Sequence, residues 1–233
     1  MPVETQKSEV EFLLELGASF AEDALHEVLE RVLDFVTTLL ECDSCFIYIL
    51  EGDELVLRAS KNLHPEAVDR LKLRKGEGIT GWVAEHREPV AIPQNACQDP
   101  RYKFFNELPE DCFEAFLSVP ILCRGNAVGV INVQHRRPRV YQPQQVRLIA
   151  TVGLLVGAEI EMARLEGENA RLSEQLETRK VVERAKGILQ RDLHLSEEDA
   201  YLALQRQSRQ RRRPMKEIAE AIVLAEEVRS TRS

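Results

Sequence analysis

"KGEGITGWVAEHREPVAIP", residues 75–93, decides how the rest of the chain is read. It satisfies both G-x-G-x-x-G, the mark of dinucleotide-binding turns, and G-x-G-x-x-G-x-V, the mark of kinase phosphate loops. A dinucleotide turn needs a buried apolar strand running into its first glycine and an acidic residue ending the next strand. Here "RLKLRK" (70–75) precedes Gly76, and Pro93 and Gln94 close the following strand. A kinase needs a lysine where Pro93 ends "PVAIP", and neither H-R-D nor D-F-G occurs in the sequence. Phosphate cradling is rejected. The glycines are read instead as permissive turns feeding a short helix that begins near Thr80.

Working outward, "CFIYILEGDELVLRA" (45–59) predicts two strands joined at Glu51-Gly52-Asp53. "AFLSVPILCRGNAVGVINVQH" (115–135) predicts a second hairpin around Arg124-Gly125-Asn126. Residues 64–73 read as a short helix or turn. Residues 94–115, with Pro100, Pro109 and a group of aromatics, read as an irregular lid. Apolar residues recur at helical spacing over 9–41 and again from Gln142 to about Asp192. Helix, hairpin, lid, hairpin, long helix is an α+β order with antiparallel strand neighbours, and a doubly wound parallel sheet is not expected.

The 233 residues suggest two domains. Residues 178–233 hold 13 Lys/Arg against 9 Asp/Glu, net +4, whereas residues 1–177 carry −12 of the overall −8. A basic tail on an acidic body points to a polyanionic partner. Glu9, Glu11 and Glu15 interrupt any secretory apolar run, and "LIATVGLLVGA" (148–158) is too short to span a membrane, so a cytoplasmic protein is expected. Five cysteines in that setting are expected to be reduced, and Cys42-x-x-Cys45, which runs into a strand, reads as a pair of inert thiols. The five histidines show no metal spacing. No nucleophile–base, metal or paired-carboxylate pattern is evident, which argues against an enzyme.

The glycine stretch, followed by "FLSVPILCRGNAVGVINVQH" and a helix beginning "YQPQQVRLIATVG", resembles a GAF domain over roughly residues 10–165. The resemblance implies a ligand pocket between sheet and lid. Family members take cyclic nucleotides, haem-like cofactors or aromatic compounds there, and some take nothing. The expected lining is Trp82, Val83, Ala91, Tyr102, Phe104, Phe105, Phe113 and Phe116. The N-K-F-D-E signature of phosphodiesterase pockets is missing, so the small-molecule ligand is left unnamed.

From Leu148 a heptad frame places Leu155, Met162, Asn169 and Leu176 at a, and Leu165 and Leu172 at d. Arg179 and Glu183 then end the seam. One Asn at an a position between Met and Leu is a device that fixes a two-stranded parallel register, which predicts a homodimer; an intramolecular seam is the rival.

Beyond the seam, Ser196 is the expected N-cap of a second helix and Pro214 fits the first turn of a third, giving a three-helix bundle. "RKVVERAKGILQRDLHLSEEDAYLALQRQSRQRRRPMKEIAEAIV" is similar to the ANTAR domain, covering about residues 173–227. That resemblance implies a dimeric RNA-binding unit acting on paired stem-loops in nascent transcripts. Lys180, Arg184, Gly187 and Arg191 form one helical stripe, and Lys186, Arg206, Arg209, Arg211, Arg212 and Arg213, with Ser208 of the Q-S-R run, complete the expected RNA surface. Gly187 either admits a partner's backbone or lets the third helix pack closely. Tyr201 falls with Leu204 in the apolar stripe and is expected in the core.

The fold expected is therefore α+β: a GAF-like antiparallel sheet with flanking helices (1–165), a coiled-coil helix (148–178) and a C-terminal three-helix RNA-binding bundle (173–233). The function expected is a signal-responsive transcription antiterminator. The alternative is a small-molecule-binding GAF protein whose last helices make protein contacts or bind DNA.

Overall fold

A computed structural model describes residues 11–17, 24–61, 67–103 and 113–230. Helical residues 11–17 (α1) and α2 (Leu25–Leu40) lead into β1 (Ser44–Glu51) and β2 (Glu54–Lys61). β3 (Lys72–Arg74), α3 (Gly78–His86) and β4 (Val90–Ile92) follow. Then come a 3₁₀ turn at Ala96–Gln98, β5 (Ala115–Cys123), β6 (Asn126–His135) and a 51-residue helix, α4 (Pro143–Leu193). α5 (Glu197–Arg211) and α6 (Met215–Ser230) complete the order. The chain divides into two compact units, 1–164 and 165–233.

The six strands form one antiparallel sheet ordered β3-β2-β1-β6-β5-β4. Strand alternation sorts its side chains into two cores. Cys45, Ile47 and Ile49 of β1, Leu117, Val119 and Ile121 of β5, and Ile131 and Val133 of β6 pack with Val28, Val32 and Val36 of α2 and with Ile149, Val152 and Val156 of α4. On the other face Phe46, Tyr48, Leu57 and Val130 meet Val83 and Ala84 of α3. Arg124 and Gly125, both at positive φ, form a two-residue hairpin turn between Cys123 and Asn126 of the kind whose twist suits the flanking strands. Pro120 is tolerated inside β5 because β4 pairs only with Phe116 through Ser118.

The antiparallel α+β reading holds, with local corrections. α3 starts at Gly78, two residues before the expected Thr80, since Gly76 and Gly78 adopt positive φ and Gly81 sits so close to Arg74 that a Cβ would lie 2.5 Å from its carbonyl oxygen. The segment read as a short helix or turn contributes edge strand β3, with Leu73 buried. Cys97 is disulfide-bonded, against the expectation of reduced thiols, whereas Cys42, Cys45 and Cys123 are free. An odd count argues against a framework and not against a single bridge. Among the described residues, no helix is long and apolar enough to cross a membrane.

α4 lies on β5 at backbone distance. A Cβ on Gly157 would stand 2.4 Å from the Leu122 carbonyl oxygen, and one on Gly153 3.1 Å from that of Pro120. Gly157→Ala is expected to lower the unfolding free energy by about 1–3 kcal/mol, the range of an overpacked contact. Gly167→Ala, whose Cβ meets nothing within 4 Å, should raise it by about 0.5–1 kcal/mol through helix propensity alone. Urea unfolding of both variants checks the contrast.

Candidate functional site

Between the sheet and α3 lies a small, partly open cavity of about 40 Å³, lined by Phe46, Tyr48 and Phe116 from the strands, Ile79 and Thr80 from α3, and Tyr102 and Lys103 from the segment above. Asn132 and Gln134 of β6 supply its polar wall. The Ser118 hydroxyl donates to Asn132 Oδ1 and Asn132 Nδ2 donates to Thr80 Oγ1, each at 2.7 Å, so a neutral polar ladder crosses the floor. Gln134 Oε1 and Ser44 Oγ are buried with no hydrogen-bond partner among the described residues, and the two residues are register partners across β1 and β6. Unmatched buried polar atoms are costly, so this end of the cavity is suited to a small polar guest or water. The space holds a few water-sized groups and not a cyclic nucleotide. A wider cleft of about 910 Å³ opens beside the β1–β2 hairpin, where Arg58 is already committed to Glu51 and Asp69.

The glycine loop holds no phosphate cradle. Glu77 occupies it, accepting from the Arg74 amide at 2.9 Å and from Lys103 Nζ at 2.6 Å, and these bonds hold its carboxyl below the usual range. A Cβ on Gly78 would meet Lys103 Cβ at 3.2 Å, so the absent side chain lets the 99–103 segment close on the loop.

Of the expected pocket residues, Tyr102 and Phe116 line the cavity. Trp82 lies outside it, its ring stacked on His86 at 4.0 Å with the Arg101 guanidinium 4.9 Å above. Val83 is core, Ala91 is exposed, and Phe113 is buried beneath Arg136. Phe104 and Phe105 fall outside the described residues. Hydrophobic pattern alone missed Thr80, Asn132 and Gln134, although for the last two their alternation with Ile131 and Val133 in "GVINVQH" was the available signal.

Two further groups lie where α2 ends. The Cys42 and Cys45 thiols act on one another, Cys45 holding Cys42 down and Cys42, together with burial, pushing Cys45 up. His135 donates from Nε2 to the Leu40 carbonyl at 3.1 Å and accepts from the Tyr141 hydroxyl at Nδ1 at 3.0 Å, an arrangement of the neutral ring. Burial, aided by Arg139, holds its pKa below the ordinary 6.5 against the opposing Leu40 carbonyl and Asp43. The unfolded chain therefore binds the extra proton first on acidification. Stability should be fully present above about pH 6.5 and decline below it. His135→Gln, which keeps both hydrogen bonds, should lose less stability than the parent between about pH 7 and pH 5 in urea titrations.

In the C-terminal unit the end of α4 packs with α5 and α6 around Val182, Ala185, Leu204, Ile218 and Ala219. Ser196 caps α5, accepting from the Asp199 amide at 3.1 Å. The expected RNA residues separate into two sets. Lys186 is 7% exposed, its ammonium bonded to Glu183 and Glu197, so it clamps α4 to the start of α5 instead of meeting solvent. Lys180 pairs with Glu177, Arg184 with Glu227, Arg191 with Asp192 and Glu226, and Arg213 with Glu217. Arg206, Arg209, Arg211 and Arg212 are exposed at the end of α5 and make no salt bridge among the described residues. Ser208 donates to the Arg213 carbonyl, fixing the turn that presents them.

Gly187 is exposed, and a Cβ there would meet nothing within 4 Å, which removes close packing of the third helix as its reason. Tyr201 is 43% exposed and not in the core as expected, because its position on α5 lies past the edge of the stripe that Ala200 and Leu204 bury. Along α4, Met162, Leu165, Asn169, Leu172 and Leu176 are all exposed, whereas Leu155 packs against the sheet core. Among the described residues, no group of three His, Cys, Asp or Glu is placed to hold a metal ion.

The GAF domain family model matches residues 24–160, more than half of the sequence. The chain belongs to the GAF family. An ANTAR domain follows, matched over residues 170–223. The transcriptional regulatory protein PdtaR of Mycobacterium tuberculosis is 49% identical over 76 residues, 33% of this chain and 37% of PdtaR. The Nif-specific regulatory protein of Azospirillum brasilense is 28% identical over 155 residues, 63% of this chain and 24% of that protein. The chain thus spans well under half the length of these curated relatives. The GAF domain of a phosphoenolpyruvate-protein phosphotransferase from Coxiella burnetii is 28% identical with a TM-score of 0.63, covering 69% of this chain and 96% of that one. These likenesses place a GAF domain ahead of an ANTAR domain in one chain.

Proposed function

We propose that this GAF–ANTAR protein is a cytoplasmic, non-catalytic transcription antiterminator. In this reading the ANTAR unit binds paired stem-loops in nascent RNA and the GAF unit responds to a small molecule or partner. The observation that carries it is the run of exposed arginines at the end of α5 that make no salt bridge among the described residues, inside the segment matched by the ANTAR model. Guanidinium groups give bidentate donors to phosphate and stack on splayed loop bases, which suits a hairpin loop better than a regular duplex. The ladder through Asn132 and the unmatched Gln134 oxygen support a small polar ligand in the GAF cavity. A larger guest requires Tyr102 and Lys103 to move.

Filter binding to stem-loop RNA should show affinity that falls steeply with salt and exceeds that for duplex DNA of the same length. Replacing Arg206, Arg209 and Arg212 by Ala should lower the logarithmic salt slope by about 0.7–0.9 for each phosphate that is no longer neutralised. Lys186→Ala should act differently, lowering the melting temperature of the C-terminal unit because it removes the clamp to Glu183 and Glu197. Absence of salt-dependent RNA affinity, or equal affinity for DNA, refutes the assignment.

Homodimerisation through α4 is the second part of the proposal. Met162, Leu165, Leu172 and Leu176 are apolar yet exposed around Asn169, and an apolar stripe of this spacing is satisfied by its twin. Leu165→Lys combined with Leu172→Lys should convert the dimer to monomer in sedimentation equilibrium, with the far-ultraviolet spectrum of the GAF unit preserved.

A further inference from the structure

The C-terminal unit contains a groove of about 340 Å³ where the last turns of α4 meet α5 and α6. Half-buried Leu189 and Ile222 form its floor above fully buried Leu204, and Leu193 stands at its edge 60% exposed. The α5 wall is different in kind. Ala203, Gln207 and Gln210 follow one another at steps of four and three, so a small residue and two carboxamides share one stripe facing the groove. Arg206, also on the groove, continues to Arg209 at a step of three on the neighbouring stripe. An apolar slot is thus bordered first by amides and then by cations.

That sequence of surfaces matches an unpaired nucleotide. A flat base buries its faces against aliphatic carbon, its edge needs donors and acceptors together, and its phosphates need positive charge. Each glutamine amide offers both donor and acceptor. Gln207 Oε1 takes a hydrogen bond from Arg211 Nε at 3.3 Å, which leaves its NH₂ to donate outward, and Gln210 is exposed. An inorganic anion would waste the apolar floor. An aliphatic side chain from a partner protein would waste the amides and the arginines. The volume lies at the small end of the range of about 300–1,000 Å³ for pockets that take compact ligands.

We infer that this groove seats one flipped-out base of the RNA loop, with Gln207 and Gln210 reading its edge and Arg206 and Arg209 on the adjoining phosphates. The inference rests on the RNA-binding reading above and adds the place where loop sequence is discriminated.

The test uses the full chain and a pool of hairpin RNAs with a constant stem and a randomised loop, from which a bound hairpin is selected. Each loop nucleotide is then replaced in turn by an abasic one. One replacement should weaken binding by the parent about ten-fold or more, the loss of one stacked base. Ala203→Leu, which fills the slot with a good helix former, should bind the intact hairpin about ten-fold more weakly and become indifferent to that replacement, with its salt slope unchanged. Should Ala203→Leu fail to fold by circular dichroism, Gln210→Ala on the exposed rim should give the same loss of discrimination.

If the parent binds hairpins but no abasic replacement matters, or if the variants keep the parent's discrimination, the groove is not the base site although the RNA assignment stands. A filled groove that alters the oligomeric state with discrimination intact would give the site to a second copy of the chain and overturn the inference. If no hairpin in the pool is bound, both readings fail.

Discussion

A sheet with no solvated central face is the constraint on which the structure depends. β1, β6 and β5 are apolar on one side and aromatic or polar on the other, and neither side can be left to water. One side is closed by α2 and the first half of α4 through aliphatic side chains. The other is closed by α3 and the segment around Tyr102, and the glycines of 76–81 are what let that cover come down on the strands. The cavity exists because the second cover meets a ladder of Ser118, Asn132 and Thr80 instead of a continuous apolar surface. Packing and candidate recognition are thus two outcomes of the same alternation along β5 and β6.

The C-terminal unit achieves its stability by different means. Its apolar core is small, and ion pairs are placed around it: Lys186 between Glu183 and Glu197, and Arg191 and Arg229 sharing Asp192 and Glu226. Exposed pairs of this kind contribute little singly. Their effect is to sort the cations, since those that pair are drawn toward acids of neighbouring helices. Net charge therefore overstates the positive charge left without a carboxylate neighbour, which among the described residues of this unit includes the arginines at the end of α5.

Much of the fold was legible because the signals were local. Gly52 and Gly125 marked two hairpins, the period of 3.6 marked the helices, and Ser196 marked a cap. What was not legible depended on partners distant in sequence. Nothing near Lys186 tells that Glu197, eleven residues on, will meet it, since Glu183 and Glu197 lie on different helices. Tyr201 and Leu204 share a helical period, but the width of the buried stripe is set by α6 and leaves the tyrosine out. The pocket was sought among aromatics, following apolar character, whereas its polar wall comes from residues whose alternation assigns them to a face without saying what covers that face. β3 was missed because exposed Lys72 and Arg74 flank its single buried residue, Leu73, so no apolar run marks it.

Gly153 and Gly157 have a mechanical consequence. They fit beneath the carbonyls of Pro120 and Leu122 as a pair, four residues apart. Advancing α4 by one turn would seat one glycine where the other had been and drive Ile149 or Glu161 into the remaining place. A one-turn stroke that brings Glu161 beneath the Leu122 carbonyl is thereby blocked, whereas the opposite stroke meets only a tight contact at Pro120.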